Sequence, residues 1–279
     1  MINTPSPLRY PGGKTILYEK IKQVLKNNNI NEAIYIEPFA GGAGLALKLL
    51  FNGDVKNIII NDYDYAIYSF WHCILYNTEQ FCEKVKNTNV TIEEWKRQKE
   101  IYNNQVEYTM NEVGFATFFL NRTNRSGIIK GGPIGGKNQE GKYKIDCRFN
   151  KDVLIKKIEK ISSYKSKIKI FNYDVNKFIR YVINRQKSNN LFIYFDPPYI
   201  NKGPELYKNH FRDMEHKELA NNIKTKLIEK KWIITYDNVQ KVNKLYKEFY
   251  RKEFNLRYSA GNNREGKEIM IFSNQLNTK

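Results

Sequence analysis

Runs of β-branched and aromatic residues recur along the chain and are separated by amphipathic stretches. These apolar runs predict strands at Ile34–Phe39, Asn57–Asp62, Lys167–Tyr173, Leu191–Phe195, Trp232–Tyr236 and Glu268–Ser273. Apolar positions spaced three and four residues apart predict helices, for example Thr15–Leu25, Leu45–Phe51, Lys151–Ile161 and Met214–Glu229. Strands that alternate with helices are typical of an α/β domain with a doubly wound, mostly parallel sheet.

Two parts of the chain depart from this alternation. Near the C-terminus, the predicted strand Phe254–Ser259 is followed by Gly261-Asn262-Asn263, which predicts an antiparallel hairpin at the sheet edge. Residues 76–165 contain helical stretches and a glycine-rich loop instead of alternating elements. We therefore expect a Rossmann-like domain built from residues 1–75 and 166–279, with a mainly helical domain inserted between them.

The charge of the chain favours a polyanionic partner. Its 279 residues include 47 Lys plus Arg and 29 Asp plus Glu, for a net charge of +18, while 41% hydrophobic and 14% aromatic residues exclude a disordered chain. Between Asn121 and Ile170 there are 14 basic and 4 acidic residues, together with six glycines. A basic, glycine-rich segment can bring backbone amides and arginines close to phosphates and base edges, so nucleic acid is the expected partner.

The sequence gives little support for a membrane protein, a secreted protein or a metal-dependent enzyme. No apolar run reaches the roughly 18 residues of a membrane span, and Met1–Lys14 lacks the apolar stretch of a signal peptide. Three cysteines do not form an even-numbered disulfide framework, so a soluble, cytoplasmic protein is expected. His216-Lys217-Glu218 matches only half of the zinc deaminase signature, and we expect no metal site.

A glycine turn follows the first predicted strand, in the segment Tyr35-Ile36-Glu37-Pro38-Phe39-Ala40-Gly41-Gly42-Ala43-Gly44. Such a turn lets a ligand approach the backbone and the N-terminus of the next helix. Asp62 follows 18 residues after Gly44, where its carboxylate can accept hydrogen bonds from both hydroxyls of a ribose. Leu47 stands at the third glycine position of the dinucleotide pattern, so NAD fits poorly. A nucleoside site is favoured over a purely structural turn.

A second glycine block lies near the N-terminus. Pro11-Gly12-Gly13-Lys14-Thr15 is similar to the end of a phosphate-binding loop, but Leu8 stands where that motif has its first glycine. Too few residues precede the block to supply the required strand, so a nucleoside triphosphatase is excluded. Two interpretations stay open: the turn binds a small anion such as a carboxylate, or it only caps a helix.

The third block follows the predicted strand Leu191–Phe195 and consists of Asp196-Pro197-Pro198-Tyr199. The carboxyl edge of an open α/β sheet is where ligands bind. Proline fixes the turn and has no N–H donor. Asp196 and the Pro197 carbonyl can accept both hydrogens of an –NH2 group, and Tyr199 offers a ring that stacks on a base. The block predicts a site for the amino group of a nucleobase.

Together these blocks resemble the Dam-type family of adenine-specific DNA methyltransferases, which use S-adenosylmethionine. The resemblance covers nearly the whole chain and keeps the family's order of blocks. It is carried by Leu8–Lys14, Glu37–Gly41, Asn121-Arg122-Thr123, Asp196–Tyr199 and Gly261–Arg264. Ala43 departs from the family's F-x-G-x-G pattern, because it stands where the second glycine is usual.

The resemblance implies a role for particular residues. The S-adenosylmethionine contacts would come from Tyr10, Lys14, Phe39, Gly41, Asp62 and Asp196. Catalysis would involve Asp196, Pro197 and Tyr199. Contacts to double-stranded DNA are expected from Asn121, Arg122, Arg125, Lys130 and Lys137. In this interpretation residues 1–75 bind the cofactor, residues 76–165 recognise the target, and residues 166–279 carry the catalytic motif.

The expected activity is methyl transfer to the N6 amine of adenine in double-stranded DNA, after the base is flipped out of the duplex. Two alternatives stay open: methylation of adenine in ribosomal RNA, and a catalytically idle DNA-binding module of the same fold. The sequence specifies neither the target site nor a partner restriction endonuclease. Because each chain carries one catalytic motif, a monomer is sufficient for activity.

Overall fold

A twisted sheet of seven strands forms the centre of the protein. The computed structural model describes residues 4–10, 13–187, 190–200, 211–257 and 265–278. Within these ranges the strands are β1 (Ile34–Glu37), β2 (Asn57–Asn61), β3 (Ile168–Phe171), β4 (Leu191–Phe195), β5 (Lys231–Asp237), β6 (Tyr250–Arg257) and β7 (Glu265–Phe272). Their order across the sheet is β3-β2-β1-β4-β5-β7-β6.

Strands β1 to β5 run parallel to one another, whereas β7 pairs antiparallel with both β5 and β6. The predicted Rossmann-like, mostly parallel sheet with a C-terminal antiparallel hairpin is confirmed. The later strand of the hairpin, β7, is inserted between β5 and β6, so β6 forms the edge. The turn predicted at Gly261-Asn262-Asn263 lies outside the described residues.

Both faces of the sheet are buried, which explains why its strands are almost continuously apolar. Successive residues of a strand point to opposite faces. Tyr35 and Phe192 therefore enter the larger core, and their neighbours Ile36 and Ile193 enter the second core.

Helices cover the two faces. The larger core is covered by α1 (Tyr18–Asn27), α2 (Gly44–Phe51), α3 (Tyr65–Tyr76), α4 (Thr78–Asn87), α5 (Ile92–Asn103), α6 (Met110–Thr123) and α7 (Lys151–Ser163). The second core is covered by α8 (Val175–Phe178), a π-helical turn (Ile179–Ile183), α9 (Asp213–Lys226) and α10 (Gln240–Leu245). The predicted first helix begins with a 3-10 turn at Lys14–Leu17.

The region proposed as an insert packs directly on α3. The Phe70 ring of α3 stacks on Phe118 of α6 with 5.9 Å between centroids. Gly114 lets the two helices approach closely, because a Cβ at this position would lie 2.8 Å from the Ser69 carbonyl oxygen. The domain boundaries at residues 76 and 165 stay a prediction. No helix in the described part of the chain is both long and apolar enough to cross a membrane.

Candidate active site and nucleic-acid interface

The carboxyl ends of β1, β2 and β4 meet at one edge of the sheet. Strand β1 lies between β2 and β4, and ligands of open α/β sheets bind where the strand order reverses in this way. The glycine turn follows β1, Asp62 follows β2 and Asp196 follows β4. The structure therefore brings the predicted nucleoside block and the Asp-Pro-Pro-Tyr block to the same edge.

The glycine turn has a backbone conformation that favours residues without a side chain. Gly41 has a φ of +46°, and a Cβ there would lie 2.6 Å from the Tyr10 ring. Its N–H donates to Oδ2 of Asp62 at 2.8 Å, and its carbonyl accepts the Trp71 indole N–H at 2.9 Å. Ala43 is also left-handed, with a φ of 44°. The residue that departs from the family pattern thus keeps a conformation that glycine favours.

Asp62 is held by two backbone groups. Its Oδ1 accepts the N–H of Asp64 at 2.9 Å, and its Oδ2 accepts that of Gly41. Burial raises the pKa of Asp62 to about 7; the Asp64 carboxylate adds to this rise, and the two N–H groups oppose it. Each carboxylate oxygen has capacity for a further hydrogen bond, so Asp62 is suited to accept ribose hydroxyls.

Two asparagines that the sequence analysis did not select stabilise the loops around Asp62. Asn61 is buried, and its amide donates to the carbonyls of Pro38 and Tyr173, both at 2.9 Å. Asn172 donates to the Asp62 carbonyl at 2.8 Å. Both asparagines stand at strand ends on the carboxyl edge, and this position is the signal that could have identified them.

Phe39 forms an apolar wall beside the glycine turn. It is half-buried, and its ring meets Phe211 edge to face, with 5.5 Å between centroids. Phe211 packs in the same manner on the buried His216, at 5.3 Å. This edge of the sheet therefore combines carboxylates with an aromatic surface.

Asp196 is held through one of its two carboxylate oxygens. Lys14 Nζ lies 3.0 Å from Oδ1, and the Thr235 hydroxyl donates to the same atom at 3.1 Å. Burial raises the pKa of Asp196, and both Lys14 and Thr235 oppose this rise. No described residue donates a hydrogen bond to Oδ2 or to the Pro197 carbonyl. Because the Asp196 side chain keeps 22% of its surface exposed, these two acceptors suit a ligand amine.

Lys14 connects Asp196 to Tyr199. Its ammonium donates to the Tyr199 hydroxyl at 2.7 Å, and that hydroxyl donates to Oε1 of Glu268. Lys14, Tyr199 and Glu268 are all buried. The contact of Lys14 with the cofactor stays a prediction, whereas the structure places its ammonium beside the Asp-Pro-Pro-Tyr block.

The strand β7 places Glu268 next to a second acidic residue. Glu268 pairs with Asp237 of β5 in the antiparallel register. Asp237 Oδ1 accepts the backbone N–H of Ile200, at 3.1 Å. Sequence analysis missed both residues, as well as Thr235, because their roles depend on strand pairing between distant parts of the chain.

A further acid lies beneath the site. Glu37 is buried, and its Oε1 accepts the Tyr35 hydroxyl at 2.8 Å. Burial raises the pKa of Glu37 to about 8; the Tyr35 hydrogen bond opposes the rise, and the Asp196 carboxylate adds to it. Glu37 is therefore largely protonated at neutral pH.

Asn121, predicted to contact DNA, is buried and fastens the N-terminal segment to the end of α6. Its Oδ1 accepts the N–H of Arg9 at 2.7 Å. Its amide donates to the carbonyls of Arg9 and Gly127, at 2.9 and 2.8 Å. A DNA contact by Asn121 stays a prediction.

The Arg122 side chain also forms hydrogen bonds within the protein. Its Nε donates to the Arg148 carbonyl at 2.8 Å. Burial lowers the pKa of Arg122 to about 10, and the positive charges of Arg9 and Arg148 lower it further. The pKa of Arg9 is lowered for the same reasons, burial first and then Arg148. These three arginines form a cluster of positive charges that repel one another.

The remaining predicted DNA contacts lie on the loop after α6. This loop is folded: Asn124 and Pro133 form an antiparallel bridge, and the N–H of Ile134 donates to the Thr123 carbonyl at 2.9 Å. The side-chain amide of Gln139 closes the second half of the loop by donating to the Ile134 carbonyl at 2.8 Å. The exposed basic side chains on this loop include Arg125, Lys130 and Lys137.

Comparison with known proteins agrees with this arrangement. The model of the D12 class of N6 adenine-specific DNA methyltransferases matches residues 10–260. The type II methyltransferase M.MjaIII of Methanocaldococcus jannaschii is 27% identical over 207 residues, which cover 69% of this chain and 68% of that protein. The crystal structure of a candidate RNA methyltransferase, PH1948 from Pyrococcus horikoshii, covers 95% of this chain and 85% of its own at 12% identity, with a TM-score of 0.42. A similarity of that level carries no argument about function.

The family match includes the glycine turn, the basic loop and the Asp-Pro-Pro-Tyr block, and it spans most of the chain. Methyl transfer to DNA from S-adenosylmethionine is the activity of this family. The chain belongs to the D12 class of N6 adenine-specific DNA methyltransferases and is an S-adenosylmethionine-dependent enzyme.

Proposed function

We propose that this protein methylates the N6 amine of adenine in double-stranded DNA, with the target base flipped out of the duplex. One observation carries the proposal. Oδ1 of Asp196 is occupied by Lys14 and Thr235, while no described residue donates to Oδ2 or to the Pro197 carbonyl. These are two acceptors for the two hydrogens of one amine.

The residues at the sheet edge fit S-adenosylmethionine. Asp62 supplies acceptors for ribose hydroxyls, and Gly41 lets the Tyr10 ring pack closely against the backbone of the turn. Phe39 adds an aromatic surface, and the Tyr10 ring packs against the glycine turn. When bound, S-adenosylmethionine supplies an electrophilic methyl group on its sulfonium. The proposed contacts are Tyr10, Lys14, Phe39, Gly41, Asp62 and Asp196.

The exocyclic nitrogen of adenine is a weak nucleophile because its lone pair is delocalised into the ring. When Asp196 and Pro197 accept both amine hydrogens, they favour a tetrahedral nitrogen whose lone pair points away from them. Lys14 and Thr235 fix the Asp196 carboxylate in advance, and such positioning contributes much of the rate. The amine becomes acidic as its nitrogen forms the new bond to the methyl group. Oδ2 of Asp196 accepts the proton that the amine then loses.

Flipping the base out of the duplex costs roughly a few kcal/mol. We propose that the Tyr199 ring stacks on the flipped base and offsets part of that cost. The Tyr199 hydroxyl is bonded to Lys14 and Glu268. These two bonds fix the position of the phenol oxygen, so the side chain is held at the site before the base arrives.

The DNA-binding surface is proposed on electrostatic grounds. Burial, followed by repulsion from neighbouring arginines, lowers the pKa of Arg9 and Arg122, and a backbone phosphate would relieve the repulsion. Arg125, Lys130 and Lys137 are exposed on the adjoining loop, so their charges are accessible to a duplex. Asn121 is assigned to this interface because it holds Arg9 in place.

One chain contains all parts of the proposed site, so we propose a monomer as the active form, acting on DNA in the cytoplasm. A cognate restriction endonuclease is proposed as a partner because the relative from Methanocaldococcus jannaschii is a type II methyltransferase.

Transfer of tritiated methyl from S-adenosylmethionine tests the proposal. Unmethylated duplex DNA and ribosomal RNA are offered in parallel, and labelled bases are identified by chromatography. We expect label on duplex DNA, recovered as N6-methyladenine, and its loss in Asp196→Ala. A control variant, Asp213→Ala, removes an exposed acid that pairs with Lys241 and should leave transfer unchanged.

Each other outcome contradicts the proposal. Label on RNA alone would identify an RNA methyltransferase. Cofactor binding without transfer to either substrate would identify a catalytically idle module. Full methylation by Asp196→Ala with tight cofactor binding would remove Asp196 from the mechanism.

A further inference from the structure

We infer that Glu268, on the antiparallel strand β7, is a positioning residue that orients Tyr199 and, through it, Lys14 and Asp196. The inference rests on the proposed function, because it concerns the site that holds the adenine. Glu268 lies beyond residues 10–260, the part of the chain matched by the family model.

The hydrogen bonds at the Tyr199 hydroxyl have a defined direction. The Tyr199 hydroxyl donates its single proton to Oε1 of Glu268. A hydroxyl that donates in one direction accepts in the others. The Lys14 ammonium, which can only donate, binds this oxygen at 2.7 Å. Glu268 therefore determines the polarity of both bonds at the Tyr199 oxygen.

Lys14 links the Tyr199 hydroxyl to Asp196. Its Nζ lies between the Tyr199 oxygen and Oδ1 of Asp196, 3.0 Å from the latter. If Glu268 did not take the hydroxyl proton, that proton could turn toward Lys14 and repel it. The ammonium would then lose the contact with Tyr199 that aligns it with Asp196. A change at Glu268 is thus transmitted to the acceptor of the adenine amine.

Strand β7 supports the loop that follows β4. Glu268 pairs with Asp237 in the ladder between β7 and β5, and Asp237 accepts the N–H of Ile200 at 3.1 Å. Two adjacent carboxylates therefore hold the catalytic loop at consecutive residues, by the Tyr199 side chain and by the next backbone amide. Glu268 is 1% exposed, so its position is defined by packing as well as by the hydrogen bond.

A double-mutant cycle tests the inference, using the full-length protein and a duplex that the wild type methylates. The variants are Glu268→Ala, Tyr199→Phe and the combination of both. We measure kcat, KM for DNA, the Kd for S-adenosylmethionine and the melting temperature. We expect Glu268→Ala to lower kcat roughly 10- to 100-fold through misplacement of the motif.

The decisive readout is coupling between the two sites. If Glu268 acts through the Tyr199 hydroxyl, Glu268→Ala lowers kcat by less than about threefold once that hydroxyl is absent. Glu268→Gln keeps an acceptor at the same place and should restore most of the lost kcat. The matched control is Glu253→Gln, an exposed acid of the neighbouring strand β6, which should leave kcat unchanged.

Other results overturn the inference. Multiplicative effects of Glu268→Ala and Tyr199→Phe, or a wild-type kcat in Glu268→Ala, would show that Glu268 does not act through Tyr199. If Glu268→Ala does not fold, the same cycle uses Glu268→Asp, which keeps a buried carboxyl group and withdraws the acceptor from the hydroxyl. A wild-type protein that does not form N6-methyladenine would refute the proposed function itself, and the two failures are thereby distinguished.

Discussion

The buried Lys14 forms an ion pair with the partly exposed Asp196, with Nζ 3.0 Å from Oδ1, although the two residues are far apart in the sequence. The sequence left open whether the Gly13-Lys14 turn binds a small anion or only caps a helix. In the structure the anion beside Lys14 is the carboxylate of the Asp-Pro-Pro-Tyr block. The N-terminal segment and the end of β4 therefore belong to one site.

Replacement of Lys14 by methionine should raise the pH at which activity is lost. Lys14 opposes the rise in the pKa of Asp196 that burial causes. Without the ammonium, Asp196 therefore becomes protonated at a higher pH, and it then no longer accepts the adenine amine. The profile of kcat against pH measures this shift of the acidic limb. Lys22→Met, which removes a surface partner of Asp54, is the control; an acidic limb unchanged in Lys14→Met would contradict the role.

Gly41→Ala should weaken cofactor binding at least about tenfold, because the new Cβ would collide with the Tyr10 ring at 2.6 Å and displace the proposed contact. Gly53→Ala separates this effect from backbone strain. Gly53 also has a positive φ, +73°, but a Cβ there meets no atom within 4 Å. Calorimetry with S-adenosylmethionine measures both variants, and equal losses in the two would show that the collision with Tyr10 is unimportant.

The affinity for S-adenosylmethionine should fall as the pH decreases from 8 to 6. Burial raises the pKa of Asp62 to about 7, so its carboxylate is protonated over this range and loses acceptor capacity for the ribose hydroxyls. The Kd is measured across the range for the wild type and for Asp62→Asn. A pH dependence that persists unchanged in Asp62→Asn would assign the titration to another group.

Glu37→Gln should reduce the pH dependence of stability. The pKa of Glu37 is raised from 4.5 to about 8, so the folded protein keeps a proton that the unfolded chain releases. The stabilisation it provides is complete below pH 4.5 and is lost as the pH rises to 8, by roughly 5 kcal/mol in total. Urea unfolding at several pH values measures the slope. An identical slope in Glu37→Gln would show that Glu37 titrates normally.

Asn121→Ala and Arg125→Gln should separate structural support from DNA contact. Asn121 makes three hydrogen bonds while buried, so its replacement should lower the free energy of unfolding by about 1–3 kcal/mol. Arg125 is exposed, and its replacement should leave stability unchanged and lower DNA affinity, with a smaller salt dependence if it binds a phosphate. Chemical denaturation measures the stability of both variants. DNA titration at two salt concentrations measures their DNA affinity and its salt dependence. Normal stability in Asn121→Ala would contradict its structural role.

Much of the fold was predictable because its signals are local. The apolar strands are continuous since parallel strands are buried on both faces, and glycine and proline mark the turns that follow β1 and β4. The order of strands and helices was therefore predicted, with boundaries that differ by a few residues; for example, Lys167–Tyr173 was expected where β3 spans Ile168–Phe171. The candidate site residues Asp62 and Asp196 were identifiable because each directly follows a strand.

The sequence by itself determined the fold class, the family and the blocks that form the sheet edge. Only the tertiary structure decided which polar groups meet. Thr235 and Glu268 contact Asp196 and Tyr199 because β5 lies beside β4 and β7 beside β5. Likewise Asn121 and Arg125, both predicted to contact DNA, differ in burial. Hydrophobic periodicity encodes which face of an element is buried, whereas strand order and register arise from packing of the whole chain, and these place distant polar groups together.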